Sequence, residues 1–178
     1  MTTIESPIET QRLLLRRWTP ADATMLYALA KDPDVGPRAG WPVHASVEES
    51  RRVIETVFGN NYTWAVVLKA TGKIIGCMGY YPPGESNIDI GENEAEVGYW
   101  MGKPYWNKGY ATEALGAMVA YCFKVKGFQT LWADCFAGNK ASARVMEKCG
   151  FADTGRKNYC SKLLHGKDTP VCIMRLDA

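Results

Sequence analysis

The 178-residue chain predicts one mixed α/β domain spanning residues 1–178. Three observations predict it. The length suits a single well-formed core and is short for two. Apolar residues make up 47% and charged residues 22%, the balance of a globular chain. Stretches of extended character alternate with stretches at helical spacing in the order β-α-α-β-β-β-α-β-α-β-β, without repeat or linker.

The first strand is Leu13–Trp18. Thr19-Pro20-Ala21-Asp22 then offers a capping hydroxyl, Pro at the first helical position and an acid three residues after the cap. Met25, Leu26 and Leu29 continue that helix until Asp32-Pro33, and 36–45 reads as a loop. Ser46 and Glu49 form a second capping box ahead of Val53, Ile54, Val57 and Phe58. Residues 62–69 and 73–81 pair as a hairpin about Thr71-Gly72. A Pro-, Gly- and Asn-rich loop at 82–93 precedes a strand over 95–101. The period then changes: a helix follows 104–111 and stops at Lys124, Lys126 and Gly127. A strand over 130–136, a helix over 139–148 closed by Gly150, and two strands over 159–163 and 171–176 complete the chain.

The formal charge, 21 − 19 = +2, is small and evenly spread, so neither nucleic acid nor membrane is an expected partner. Arg12, Arg16 and Arg17 read as polar flanks of the first strand. The six cysteines never approach CxxC spacing, and the first ten residues, MTTIESPIET, are polar. Free, buried thiols in a cytoplasmic protein are expected. His44 and His165 lack partners at ligand spacing and read as loop residues, so no metal is expected.

The chemistry concentrates between Glu94 and Phe151. A strand passes through a short loop containing Gly109 into a helix, and the first amides of a helix have no intrahelical acceptor. Asn107, Lys108, Gly109, Tyr110, Ala111 and Thr112 present such amides to phosphate oxygens. Neither GxGxxG nor GxxxxGK[ST] occurs.

Trp106-x-x-Gly109-x-Ala111 after Glu96–Met101, followed by Asn139-Lys140-Ala141-Ser142 and Glu147–Phe151, resembles the GCN5-related N-acetyltransferases. Within them the chain is most similar to the Rim-type branch that acetylates ribosomal-protein N-termini, from about residue 10 onward and including Gly40-Trp41-Pro42. The resemblance implies a central, mostly antiparallel twisted sheet splayed between strands 4 and 5, with a bulge tolerated at Gly98. It implies acetyl-CoA as co-substrate. Pantetheine then lies along Tyr99, Trp100 and Met101, the diphosphate on Asn107–Thr112, and Asn139 contacts the pantetheine arm or serves as a plain helix cap. The family motif opens with Gln or Arg, where this chain has Trp106.

Amide formation needs a base for the amine and a proton for the departing thiolate. Glu96 and Asp134 are the two candidate bases. Relatives place a Tyr acid seven residues after the Asn, but Met146 stands there; Ser142, the Rim-type replacement, is the candidate acid. Met146 is also what a non-catalytic acyl-CoA-binding protein would carry. The acceptor is expected beside Trp41, Trp64, Tyr81, Tyr159 and His165. It is a primary amine, either a peptide N-terminus or a small molecule such as an antibiotic, and the protein a monomer or homodimer. An α-amine, with pKa about 8 against 10.4 for lysine, is about 3 kcal/mol easier to deprotonate near neutrality and so fits a modest base better.

Overall fold

The computed structural model describes residues 6–160 and 169–178, with side chains through 156 and from 169. One eight-stranded sheet organises the chain: β1 (Ile8–Glu9), β2 (Leu13–Arg17), β3 (Thr63–Leu68), β4 (Lys73–Tyr81), β5 (Glu94–Met101), β6 (Thr130–Phe136), β7 (Ala152–Cys160) and β8 (Thr169–Asp177). Their spatial order is β1-β2-β3-β4-β5-β6-β8-β7, and among the described residues only β5 and β6 run parallel. Among the described residues the α-helices are α1 (Ala23–Ala30), α2 (Gly36–Ala39), α3 (Val47–Val53), α4 (Tyr110–Tyr121) and α5 (Lys140–Lys148).

Local chemistry sets these boundaries. The Asp22 carboxylate accepts from the Thr19 amide at 2.9 Å and the Thr19 hydroxyl at 3.1 Å, fixing the turn that leads into α1. Arg16 reaches the same carboxylate with both terminal nitrogens, at 2.8 and 2.9 Å. At α3 the Ser46 hydroxyl accepts from the Glu49 amide, while Glu49 turns back to the Ala45 amide, one residue before the cap position that the capping box predicts. Gly127, at φ 75°, closes the π-helical turn that extends α4, and Gly150, at φ 94°, follows α5.

The sheet separates two apolar layers. On one face Leu115 and Met118 of α4, Cys122 of the turn that extends it and Met146 of α5 pack over Leu13, Leu15, Trp64, Met78, Tyr80 and Val97. On the other, Leu26 and Ala30 of α1, with Ile54, cover Ala65, Val67, Ile74 and Cys77. Farther along this second face, Ile88 from the 82–93 loop packs on Trp132 and Ile173. Trp64 therefore lies under α4, away from the face where the sequence places it beside the acceptor. Successive strand side chains alternate between faces, and Thr63 and Ala65 take the other side.

Other elements also correct the sequence reading. The two-residue β1 turns the predicted strands 4 and 5 into β5 and β6. The 36–45 loop holds the single turn α2, ended by Gly40 at φ 88°. β7 begins at Ala152 rather than 159. Gly98 sits opposite Gly79 in an unbroken β4–β5 register, and a register shift occurs instead between β3 and β4, where Val66 pairs with Gly76 and Val67 with Ile74. The glycine has another cause. A methyl group at 98 would lie 3.3 Å from the Tyr81 ring, and one at Gly79 would lie 3.0 Å from the Tyr81 hydroxyl. The paired glycines make room for Tyr81.

Candidate active site

β5 and β6 begin as a parallel pair with Glu94, Ala95 and Glu96 opposite Thr130, Leu131 and Trp132, and the pairing stops there. β5 continues to Met101 along β4, and β6 continues to Phe136 along β8. The strands diverge between them. The facing backbone groups of Val97–Met101 and Ala133–Phe136 have no strand partner across the gap, so Tyr99, Trp100 and Met101 border it.

Beyond Met101 the chain turns through Lys103–Tyr105 and reaches Gly109, the residue that caps α4, at φ 77°. Asn107, at φ 59°, is the one non-glycine residue with positive φ among the described residues. None of the amides from Asn107 to Thr112 finds an acceptor among the described residues. This cradle fits a diphosphate group, since left-handed residues flanking Lys108 bend successive amides into a concave surface at a helix start. The first side chain of the loop, Trp106, is committed elsewhere. Its indole donates to the Met101 carbonyl at 2.8 Å, and the Arg38 guanidinium lies 5.0 Å over its ring.

Arg12 and Glu113 enclose the loop from the other side. Glu113, in the first turn of α4, accepts from the Thr10 hydroxyl at 2.6 Å, the Arg12 amide at 2.8 Å and Arg12 Nε at 2.6 Å. Burial works to raise its pKa, but these donors outweigh it and hold the carboxyl below the usual range. Arg12 is thus more than a polar flank of a strand. Arg16 is bound to Asp22, and Arg17 stacks 3.8 Å from the Trp64 ring.

Glu96 is buried on the face opposite α4, because its neighbours Ala95 and Val97 point into the α4 layer. One carboxylate oxygen, Oε2, accepts from the Ser86 hydroxyl and the Asn87 amide, both at 2.7 Å. Asp134 lies two residues past Trp132, the register partner of Glu96, and so shares its face. Burial first, and the Glu96 charge second, raise the Asp134 carboxyl to about 6. The structure brings the two candidate bases into one electrostatic unit.

Ser142 and Asn139 sit on the α4 side of the gap. Asn139 caps α5, its side-chain oxygen accepting the Ser142 amide at 3.2 Å. Tyr99 crosses from β5 to meet Ser142, and burial pushes the tyrosine hydroxyl upward despite that contact. Met146 is fully buried in the core beneath α5.

On the carboxylate face Trp41 meets Trp100 edge-on at 5.3 Å. Tyr81 stands opposite Glu96 on β4, its hydroxyl raised by burial. The side chain of Tyr159 and the whole of His165 lie outside the described residues. His44 is a loop residue yet buried, its Nδ1 2.8 Å from the Ser50 hydroxyl, and burial lowers its pKa. Cys77, Cys122, Cys135, Cys149 and Cys172 are free thiols. Among the described residues no group of three metal-ligating side chains converges, and no helix is long and apolar enough to cross a membrane.

Sequence reasoning missed Ser86, Asn87, Thr10, Arg12 and the Tyr99–Ser142 contact. Thr10, Arg12 and Tyr99 act through partners far along the chain, and Ser86 and Asn87 reach Glu96 from an irregular loop, so neither period nor spacing marks them.

Residues 12–152 match a family model described as an acetyltransferase (GNAT) domain. The chain is 28% identical over 153 residues to the uncharacterized N-acetyltransferase YoaA of Bacillus subtilis (strain 168), covering 83% of this chain and 84% of that protein. The crystal structure of an acetyltransferase (GNAT family) from Bacillus anthracis superposes with a TM-score of 0.83 at 26% identity, covering 97% of this chain and 98% of the other. The Microcin C7 self-immunity acetyltransferase MccE, solved with acetyl-CoA and AMP, shares the fold at a TM-score of 0.79 and 21% identity, covering 95% and 94%.

Proposed function

The chain belongs to the GNAT acetyltransferase family and is an acetyltransferase; from that premise we propose that it carries acetyl from acetyl-CoA to a primary amine, foremost a protein N-terminal α-amine, by direct attack in a ternary complex. One observation carries the reading. The β5–β6 ladder ends at Glu96, and the unpaired backbone it leaves leads into the unpaired amides of Asn107–Thr112. An extended arm that bears amides and ends in a diphosphate is complementary to both parts. The acetyl-CoA bound by MccE supports the choice of donor.

In this proposal Tyr99, Trp100 and Met101 lend backbone groups to the pantetheine arm, Asn107–Thr112 take the diphosphate, and Asn139 stands beside the arm. The Met101 amide polarises the thioester carbonyl. Asp134 accepts the proton from the amine, directly or through a water. Its value of about 6 keeps it ionised at neutral pH while leaving it basic enough to act. Glu96, oriented by Ser86 and Asn87, supplies the second negative charge that draws in an ammonium group. The neutral nitrogen then attacks the carbonyl carbon, the C–S bond breaks as the nitrogen gives up its second proton to water, and Ser142 delivers a proton to the departing thiolate and regains one from that water.

The preference for an α-amine rests on acidity, because a base of this strength deprotonates a group of pKa about 8 far more readily than a lysine. A small-molecule amine is the second reading, favoured by the flat walls of Trp41, Trp100 and Tyr81 beside the carboxylates. Release of free CoA thiol, measured against a panel of peptides and small amines, tests both. Turnover on peptides with free N-termini, lost when those termini are blocked, supports the first reading. Turnover on free amines alone supports the second, and preference for lysine side chains overturns the acidity argument.

A further inference from the structure

The guanidinium of Arg12 precedes β2, in a segment far in sequence from the loop it touches. Its Nη1 donates to the Lys108 carbonyl at 3.0 Å, its Nε is fixed on Glu113, and its Cζ lies 4.5 Å from the centroid of the Tyr110 ring. Three separate restraints therefore hold it, all of them on the loop or on the helix that follows.

The restraint on the Lys108 carbonyl has a geometric consequence. The chain has no cis peptide bonds among the described residues, and in a trans peptide the C=O and the next N–H point in opposite directions. A Lys108 carbonyl drawn toward Arg12 makes the Gly109 N–H face away from Arg12, into the concave side of the loop. Rotating the Lys108–Gly109 peptide changes only ψ of Lys108 and φ of Gly109, and a glycine, at φ 77° here, opposes such a rotation little. Rotation would place a carbonyl oxygen where an anion has to bind. Trp106 does not prevent this, since its indole N–H is engaged by Met101.

Gly109 completes the arrangement. A methyl group there would lie 3.3 Å from Arg12 Nη2, so the absence of a side chain lets the guanidinium lie against the loop. Glu113, itself bound by the Thr10 hydroxyl, holds the arginine in turn, and these hydrogen bonds tie the β1–β2 turn to the first turn of α4. We infer that Arg12 is the positioning residue of the diphosphate loop: by holding the Lys108 carbonyl, it aims the Gly109 amide at the diphosphate of the acyl donor. The inference rests on the donor site proposed above.

The test compares two acyl donors that differ in the diphosphate. S-acetylpantetheine carries the thioester and the amide arm and lacks the diphosphate nucleotide. Steady-state kcat/KM for acetyl-CoA and for S-acetylpantetheine is measured with the wild type, Arg12→Ala, Arg12→Gln and Glu113→Gln, alongside calorimetric titration with coenzyme A and thermal melting. The preference of the wild type for acetyl-CoA should fall roughly 10- to 100-fold in Arg12→Ala, the worth of one amide aimed at a charged group. Arg12→Gln, which keeps one donor for the carbonyl, should recover part of it, and Glu113→Gln should lose less than Arg12→Ala. A preference unchanged in Arg12→Ala overturns the inference. So does an equal loss for both donors accompanied by a lowered melting temperature, which is what a purely structural role gives. If Arg12→Ala does not fold, Arg12→Gln and Glu113→Gln decide by the same ratio. Failure of the wild type to bind coenzyme A would instead overturn the donor site itself.

Discussion

The Tyr99 hydroxyl lies 3.0 Å from the Ser142 carbonyl oxygen and 3.0 Å from the Ser142 hydroxyl. A carbonyl only accepts, so when the single tyrosine proton goes to it, the Ser142 hydroxyl is the donor in the second contact. The Ser142 hydroxyl is then left as the group with a proton to give, and Tyr99 fixes where that proton sits.

Removing each partner in turn separates the two roles. Ser142→Ala should lower kcat by about 10²-fold or more if Ser142 is the acid. Tyr99→Phe should cost about 1–2 kcal/mol of stability, read by denaturant unfolding, and lower kcat less, because the serine proton survives without its guide. Equal turnover by Ser142→Ala and wild type would return the proton to solvent water.

The shared field of Glu96 and Asp134 predicts a pH profile. kcat/KM should rise with pH through an inflection near 6 as Asp134 ionises. Glu96→Gln removes a like charge, so the inflection should move to lower pH, and Asp134→Asn should abolish it. Stability follows the same group with a definite sign. A carboxyl raised on folding contributes stability that is complete below its unfolded value, about 3.9, and is lost as pH rises through about 6. Asp134→Asn should therefore melt above the wild type at pH 8 and not at pH 4. An unmoved inflection in Glu96→Gln would show that the carboxylates do not sense one another.

The glycines beneath Tyr81 give a graded test of packing. A methyl group at 79 would meet the Tyr62 carbonyl oxygen at 2.7 Å, whereas one at 98 meets only the edge of the Tyr81 ring at 3.3 Å. Gly79→Ala should cost about 1–3 kcal/mol and Gly98→Ala less, by chemical denaturation. The reverse order would mean that the strand backbone yields more easily than the ring.

Elements with a strong local signal were legible in the sequence. Lys73–Tyr81 and Thr130–Phe136 are the observed β4 and β6, residue for residue, and Gly127 and Gly150 follow their helices in the left-handed region. What stayed hidden depends on partners rather than on period. Seven polar or small residues, Ala152–Asn158, form most of the first part of β7, an edge strand paired only with β8 and broken by Gly155 at φ 69°. No alternation marks such a strand. The donor-site motif was readable because it is a single stretch. Arg12 and Tyr99 act across contacts about a hundred and about forty residues long, which spacing cannot encode.

The early end of the β5–β6 ladder also bears on solubility. A row of unsatisfied strand groups at the margin of a sheet ordinarily recruits the margin of another molecule and seeds aggregates. Here the row lies in the middle of eight strands, flanked by β4 on one side and β8 on the other. A foreign strand with side chains on both faces would have to wedge itself between them. A slender guest does not face that obstacle, so the gap leaves its unpaired backbone open to a small molecule and closed to another strand.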